Sequence, residues 1–175
     1  MQIRKKRIDD TILEEDTETL LDKLHLINNG YLTNAALLLF SKDPERYFTG
    51  AFIKVGFFET DADLIYQDEV RGSLFEQIDK VIELIFFKYM KAKISYDGLQ
   101  RVEEYFVSEA SMREAILNAI VHKQYESGVP IQISVYKDKL YITNVGKLPD
   151  HWTEETLYQK HGSKPIILIL RMFSI

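Results

Sequence analysis

The most regular pattern of apolar and polar positions runs from Ser108 to Tyr125, S-E-A-S-M-R-E-A-I-L-N-A-I-V-H-K-Q-Y. Its period is that of a helix. Met112, Ala115, Ile116, Ala119 and Ile120 form one apolar flank, and Ala110, Leu117 and Val121 form the other. Between them runs a thin polar seam, Ser111, Glu114, Asn118 and His122. Each step of four residues turns about 40° round the axis, so the last three positions fall within roughly 80° of one another. A helix on a protein surface usually has a broad polar face. The two flanks therefore predict a buried helix whose seam faces a cavity. Ser108 is placed to cap it, and Glu109 suits its positive end.

The rest of the chain predicts an α+β fold. A helix is expected from Asp16 or Thr17 through Ile27, with Leu20, Leu21, Leu24 and Ile27 on its apolar side. Asn28-Asn29-Gly30 signals a turn, and Thr33 caps a second short helix, Asn34 to Phe40. No cluster of base-reading side chains accompanies this helix–turn–helix arrangement, so it is read as structural. Ala51 to Phe58 is rich in aromatic and β-branched residues, as a buried strand is, whereas Glu59 to Asp68 is acidic and irregular at its start. Ser73 and Glu76 form a capping-box pattern, with a helix to about Met90 and a core-facing set of Phe75, Ile78, Val81, Ile82, Ile85 and Phe86. Ile94 to Tyr96 and Arg101 to Phe106 are short strand candidates about an Asp97-Gly98 turn. Gly128-Val129-Pro130 breaks the chain before an alternating strand, Ile131 to Tyr136, and Leu140 to Thr143 returns antiparallel to it. The expected architecture is helices layered on a mixed, mainly antiparallel sheet. A small N-terminal helical unit and linker (1–48) precede the main domain (49–175).

Composition narrows the function classes. At 175 residues, 46% hydrophobic and 28% charged, the chain can bury one good-sized core. A net charge of −5 argues against a generally basic nucleic-acid surface. The basic run Arg4-Lys5-Lys6-Arg7 reads as a solvated tail or linker more readily than as a phosphate-binding arm. With no cysteine there are no disulfides or thiolate metal sites, which fits a reducing cytoplasm. No run approaches the ~18 apolar residues of a membrane span, and no signal peptide is recognisable.

The chemistry sits on the seam. Glu114 offers a carboxylate as general base or metal partner, and Asn118 a hard carbonyl oxygen of the kind Mg²⁺ accepts. His122 can donate to a phosphate or orient a neighbour. The same spacing also suits a buried helix whose polar groups satisfy only backbone or one another, and spacing alone leaves both readings open.

The run E-A-I-L-N-A-I-V-H resembles the first nucleotide-binding box of the GHKL ATPases, the superfamily of DNA gyrase, the large heat-shock chaperones, histidine kinases and MutL. Four segments occur in the order found in one bacterial family. They are L-T-N-A-A-L-L-L-F (Leu32 to Phe40), R-E-A-I-L-N-A-I-V-H-K-Q-Y, I-T-N-V-G-K-L-P (Ile142 to Pro149) and H-G-S-K-P (His161 to Pro165). That family comprises transcriptional regulators often labelled RecG-related, ATP-dependent DNA helicase-like proteins, and the resemblance spans roughly residues 10 to 165. It implies a GHKL-like α/β sandwich that binds ATP with Mg²⁺. Glu114 would position or activate water, making a weak ATPase conceivable, and Asn118 would hold the metal. His122 would lie near the phosphates. Asn144 would meet the adenine amino group in place of the usual Asp of D-x-G-x-G, and Gly146 would permit close approach. Gly162 and Lys164 are the nearest candidates for the phosphate-covering loop, although a single glycine makes a poor phosphate nest. Lys147 departs from the two-glycine spacing. Family members continue past this chain's end, so a C-terminally truncated domain is expected. Its apolar tail would join the core or favour homo-oligomers.

Two functional readings follow from the resemblance. One is an ATP-binding regulatory module of a cytoplasmic transcriptional regulator that meets DNA through domains outside this chain. The other is a degenerate GHKL-like fold serving as an interaction or dimerisation module without nucleotide. Helicase activity is disfavoured because no G-x-x-x-x-G-K-[ST] loop occurs. Direct DNA binding by this segment is the weakest reading, given its acidity.

Overall fold

The computed structural model describes residues 16–90, 92–97 and 100–146. Helix α1 (Thr17–Lys23) starts where the Asp16 side chain accepts from the Thr19 N–H at 3.0 Å. It stops earlier than the apolar period suggests. His25 adopts a left-handed backbone (φ 56°), which ends the helix and lets Leu26 turn fully inward. Ile27, expected in the helix, instead enters a miniature hairpin of β1 (Ile27–Asn28) and β2 (Tyr31–Leu32). Asn29 and Gly30, both at positive φ, make its turn. Helix α2 (Asn34–Phe40) follows, capped by Thr33 as expected, and buries Ala36, Leu38 and Leu39.

Strand β3 (Ile53–Thr60) pairs antiparallel with β4 (Asp63–Val70). The acidic stretch after residue 59, read from sequence only as irregular at its start, is therefore mostly strand. It is an edge strand exposed along most of its length, so its sequence carries little apolar alternation. Helix α3 (Leu74–Leu84) opens with the reciprocal Ser73–Glu76 capping box and continues as a π-helical turn, Ile85–Tyr89. Strands β5 (Lys93–Asp97) and β6 (Gln100–Glu104) form a separate antiparallel hairpin. Helix α4 (Glu109–Val121) is capped by Ser108. Strands β7 (Ile131–Val135) and β8 (Leu140–Thr143) complete a four-stranded sheet in the order β4-β3-β7-β8. Only the central pair, β3 and β7, is parallel.

The architecture is thus α+β, helices on a mixed, mainly antiparallel sheet, as the sequence pattern predicts. Ile53, Val55, Ile131, Ile133 and Val135 alternate inward from the two central strands, and α3 packs on β3 and β4 while α4 packs on β8. Leu26, Leu38 and Leu39 of the N-terminal helical unit belong to the same continuous core. Gln77, buried on α3, donates to the carbonyls of Ala51 and Gly72 at 2.7 Å each, which fixes the chain on both flanks of the β3–β4 hairpin. Among the described residues no helix is long and apolar enough to cross a membrane.

Candidate functional site

Helix α4 is anchored by one flank. Met112, Ile116 and Ile120 are buried, and of the other flank only Val121 is. The seam is not turned into a cavity: Ser111, Glu114 and Asn118 are exposed, and Ala115 with them. This corrects the expectation of an inward-facing edge. The second flank does not match the first, since Ala110 is exposed and Leu117 only half-buried. The helix therefore lies on the core instead of inside it.

The spacing of the seam does bring its groups together. The Asn118 amide donates to Glu114 Oε1 at 3.4 Å. With Nδ2 directed to the carboxylate, the Asn118 carbonyl oxygen points away from Glu114, and a flip of the amide is what would set two hard oxygens on adjacent turns of this exposed face. That donor set suits Mg²⁺, which commonly takes one or two protein oxygens and completes its shell with water and phosphate. Among the described residues no cluster of three or more His, Cys, Asp or Glu is arranged to hold a metal unaided. His122, half-buried, is the C-cap of α4, and its N–H is directed at the carbonyls of Asn118 and Ile120.

The turn after β8 clamps this same helix end at three points. Asn144 Nδ2 donates to the Ala119 carbonyl at 2.7 Å. The Gln124 N–H donates to the Val145 carbonyl at 2.7 Å. At Gly146 a Cβ would lie 2.4 Å from the His122 carbonyl oxygen, so only glycine fits. The structure thus places Asn144 and Gly146 beside the end of α4. It also gives both residues a packing role that is independent of any ligand. Because a carbonyl can only accept, the Asn144 amide is oriented with its NH₂ toward Ala119 and its Oδ1 away from it. Gly162, Lys164 and Lys147 lie outside the described residues.

One residue beside the site was not singled out from sequence. Lys123 is 1% exposed, and among the described residues its Nζ has no hydrogen-bond partner. Its ammonium lies 4.5 Å from the centroid of the Tyr125 ring. Burial strips the charged form of water and lowers its pKa to about 8. Burial likewise raises that of Tyr125, whose hydroxyl donates to the Ile120 carbonyl. The signal was present in the register, since Lys123 continues the line of Ile116 and Ile120, where an apolar residue is expected.

No family model matches the chain, and no curated protein matches it. Among solved structures, the crystal structure of the DIP2311 protein from Corynebacterium diphtheriae superposes with a TM-score of 0.73 at 20% identity. The match covers 95% of this chain and 35% of that one, so the chain spans about a third of its structural neighbour. The likeness is one of fold.

Proposed function

We propose that this chain contributes an Mg-ATP-binding regulatory module of the GHKL type to a DNA-binding transcriptional regulator, with DNA contacted by domains elsewhere. The observation that carries the reading is the pairing of Glu114 with Asn118 on the open face of α4, just before the helix end clamped by Asn144 and Gly146. Asn118, with Glu114 beside it, would hold Mg²⁺, which would neutralise charge on the triphosphate. Glu114 is the residue placed to accept a proton from water, His122 lies at the same helix end, and Asn144 Oδ1 is the acceptor available to an amino group. The exposure of Ser111, Glu114 and Asn118 counts against this reading, which in the sequence rested on an inward-facing edge.

Titration calorimetry and thermal unfolding with Mg-ATP test this. Wild-type protein should be stabilised by roughly 2.7 kcal/mol at about 100 times its Kd. Asn118→Ala should remove that stabilisation and leave the ligand-free unfolding midpoint within a degree or two. No effect of millimolar Mg-ATP, or an equal effect on the variant, removes the reading.

One observation favours the alternative, a non-binding interaction module. Both residues of the β8 turn already have complete packing reasons, a hydrogen bond for Asn144 and a steric one for Gly146. Self-association measured by sedimentation, unaffected by nucleotide, would support that alternative.

A further inference from the structure

At the end of the sheet remote from Asn144, the last residues of β3 and the first of β4 meet the residues following β7 and the π-helical turn around a cavity of about 650 Å³. That volume is in the ~300–1,000 Å³ range of small-molecule sites. Tyr89 and Met90 are its buried floor, and Phe57, Phe58, Tyr66 and Tyr136 contribute aromatic wall. These rings are braced and do not fill the space by collapse. Tyr66 stacks on Phe57 (centroids 5.3 Å apart, 12° between planes) and leans on Tyr89 at 5.1 Å. Phe58 stacks on Tyr136 at 5.5 Å.

Few charges line the cavity, and most are cationic. Lys88 is held by Asp68, Nζ to Oδ2 at 2.6 Å, and lies 5.0 Å from the Tyr66 centroid. The Tyr89 hydroxyl also donates to the same oxygen, Asp68 Oδ2, at 2.6 Å. An ammonium has three donors, and Asp68 takes one of them. Lys137 supplies a second cation at the exposed rim, against one lining carboxylate, Glu59. The π-helical turn that ends α3 brings Lys88, Tyr89 and Met90 together on this wall. Such turns recur at functional sites, because the extra residue shifts which side chains share a face.

We infer that this cavity binds a planar aromatic molecule bearing a carboxylate or phosphate, its ring among the aromatic walls and its anion between Lys88 and Lys137. A cation would suit the ring faces as well. The two lysines weigh against it, since Glu59 is the one carboxylate among the lining residues. The ligand is a second one, independent of the α4 surface.

The probe is 2-naphthoate, with 2-naphthylmethylammonium as its cationic counterpart, titrated into the full chain by calorimetry. Saturable 1:1 binding of naphthoate is expected, at least tenfold tighter than the cation. Lys137→Glu, at an exposed position that leaves circular dichroism unchanged, should weaken naphthoate at least tenfold, and Asn118→Ala should not alter it. Tyr136→Ala should also weaken it, by loss of a wall. Absence of saturable binding at millimolar naphthoate overturns the inference, as does equal or tighter binding of the cation, or a Lys137→Glu variant that binds like wild type.

Discussion

The side-chain amide of Asn144 donates a 2.7 Å hydrogen bond to the main-chain carbonyl of Ala119, tying the end of β8 to the last turn of α4. The bond runs in one direction, and that makes Asn144→Asp informative. A carboxylate cannot donate and would face a carbonyl at short range. The variant should be less stable by about 1–3 kcal/mol at neutral pH. A protonated carboxyl can donate again, so the deficit should shrink as the pH falls through the carboxylate range. Urea unfolding at pH 7 and pH 4 measures both effects, and an Asp variant as stable as wild type at pH 7 would show that the bond contributes nothing.

Gly146→Ala and Gly30→Ala separate crowding from backbone strain. At Gly146 the added Cβ meets the His122 carbonyl oxygen, backbone against backbone, so the β8 turn must lift off α4. At Gly30 nothing lies within 4 Å, and only the positive φ of 79° opposes a side chain. We expect about 1–3 kcal/mol for the first and about 1 kcal/mol for the second. Chemical denaturation of the two variants in parallel checks the order, which would be reversed if the turn after β8 were loosely held.

Lys123 should give the protein an unusual alkaline behaviour. Its folded pKa of about 8 lies below the ordinary 10.5, so the unfolded state holds more protons between those values. The penalty for the buried charge is fully present below pH 8. It is relieved as the pH rises from about 8 toward 10.5, so this residue's contribution to stability increases across that window. Lys123→Met should stabilise the protein at pH 7, by up to about 3 kcal/mol, and its advantage over wild type should fade by pH 10. A difference between the two proteins that stays flat from pH 7 to 10 would mean the amine is uncharged or hydrated throughout.

The Asp68 carboxyl is held below its ordinary pKa of 3.8 by hydrogen bonds from Lys88 first and Tyr89 second. Its contribution is present at neutral pH and is lost as the pH falls below that ordinary value. Tyr89→Phe removes the single hydroxyl proton, which lies between Asp68 Oδ2 at 2.6 Å and the Val55 carbonyl at 2.8 Å and so is shared by the two acceptors. The variant should lose about 1–3 kcal/mol at pH 7, and acid unfolding followed by circular dichroism should move to higher pH.

Much of the fold was readable because its elements obey local rules. Ser108, Thr33 and the Ser73–Glu76 pair each cap the helix they were expected to cap. The alternation in β7 matches its buried and exposed positions. Strand β4 was not readable, because its inward positions include Asp68, whose partners Lys88 and Tyr89 lie some twenty residues away in sequence. The early end of α1 depends on His25 accepting a left-handed backbone so that Leu26 can bury, which no helical period records. The residues of the seam were legible, but its direction was not. Glu114 and Asn118 have the same spacing whether a cavity or solvent faces them, and the decision rests with what packs over the helix.

The parallel pairing of β3 with β7 joins residue 53 to residue 131, and this has a consequence during synthesis. Strand β3 can zip with β4 as soon as both leave the ribosome. Its other edge, with Ile53, Val55 and Phe57 facing the future core, must then wait for the chain between β4 and β7 to be made, roughly 3–12 s at about 5–20 residues per second. Throughout that interval the nascent protein presents an unsatisfied ribbon edge with greasy side chains, the kind of template on which neighbouring chains assemble. Yield in cells should therefore respond to translation speed and holdase supply more than the equilibrium stability of the finished molecule would suggest.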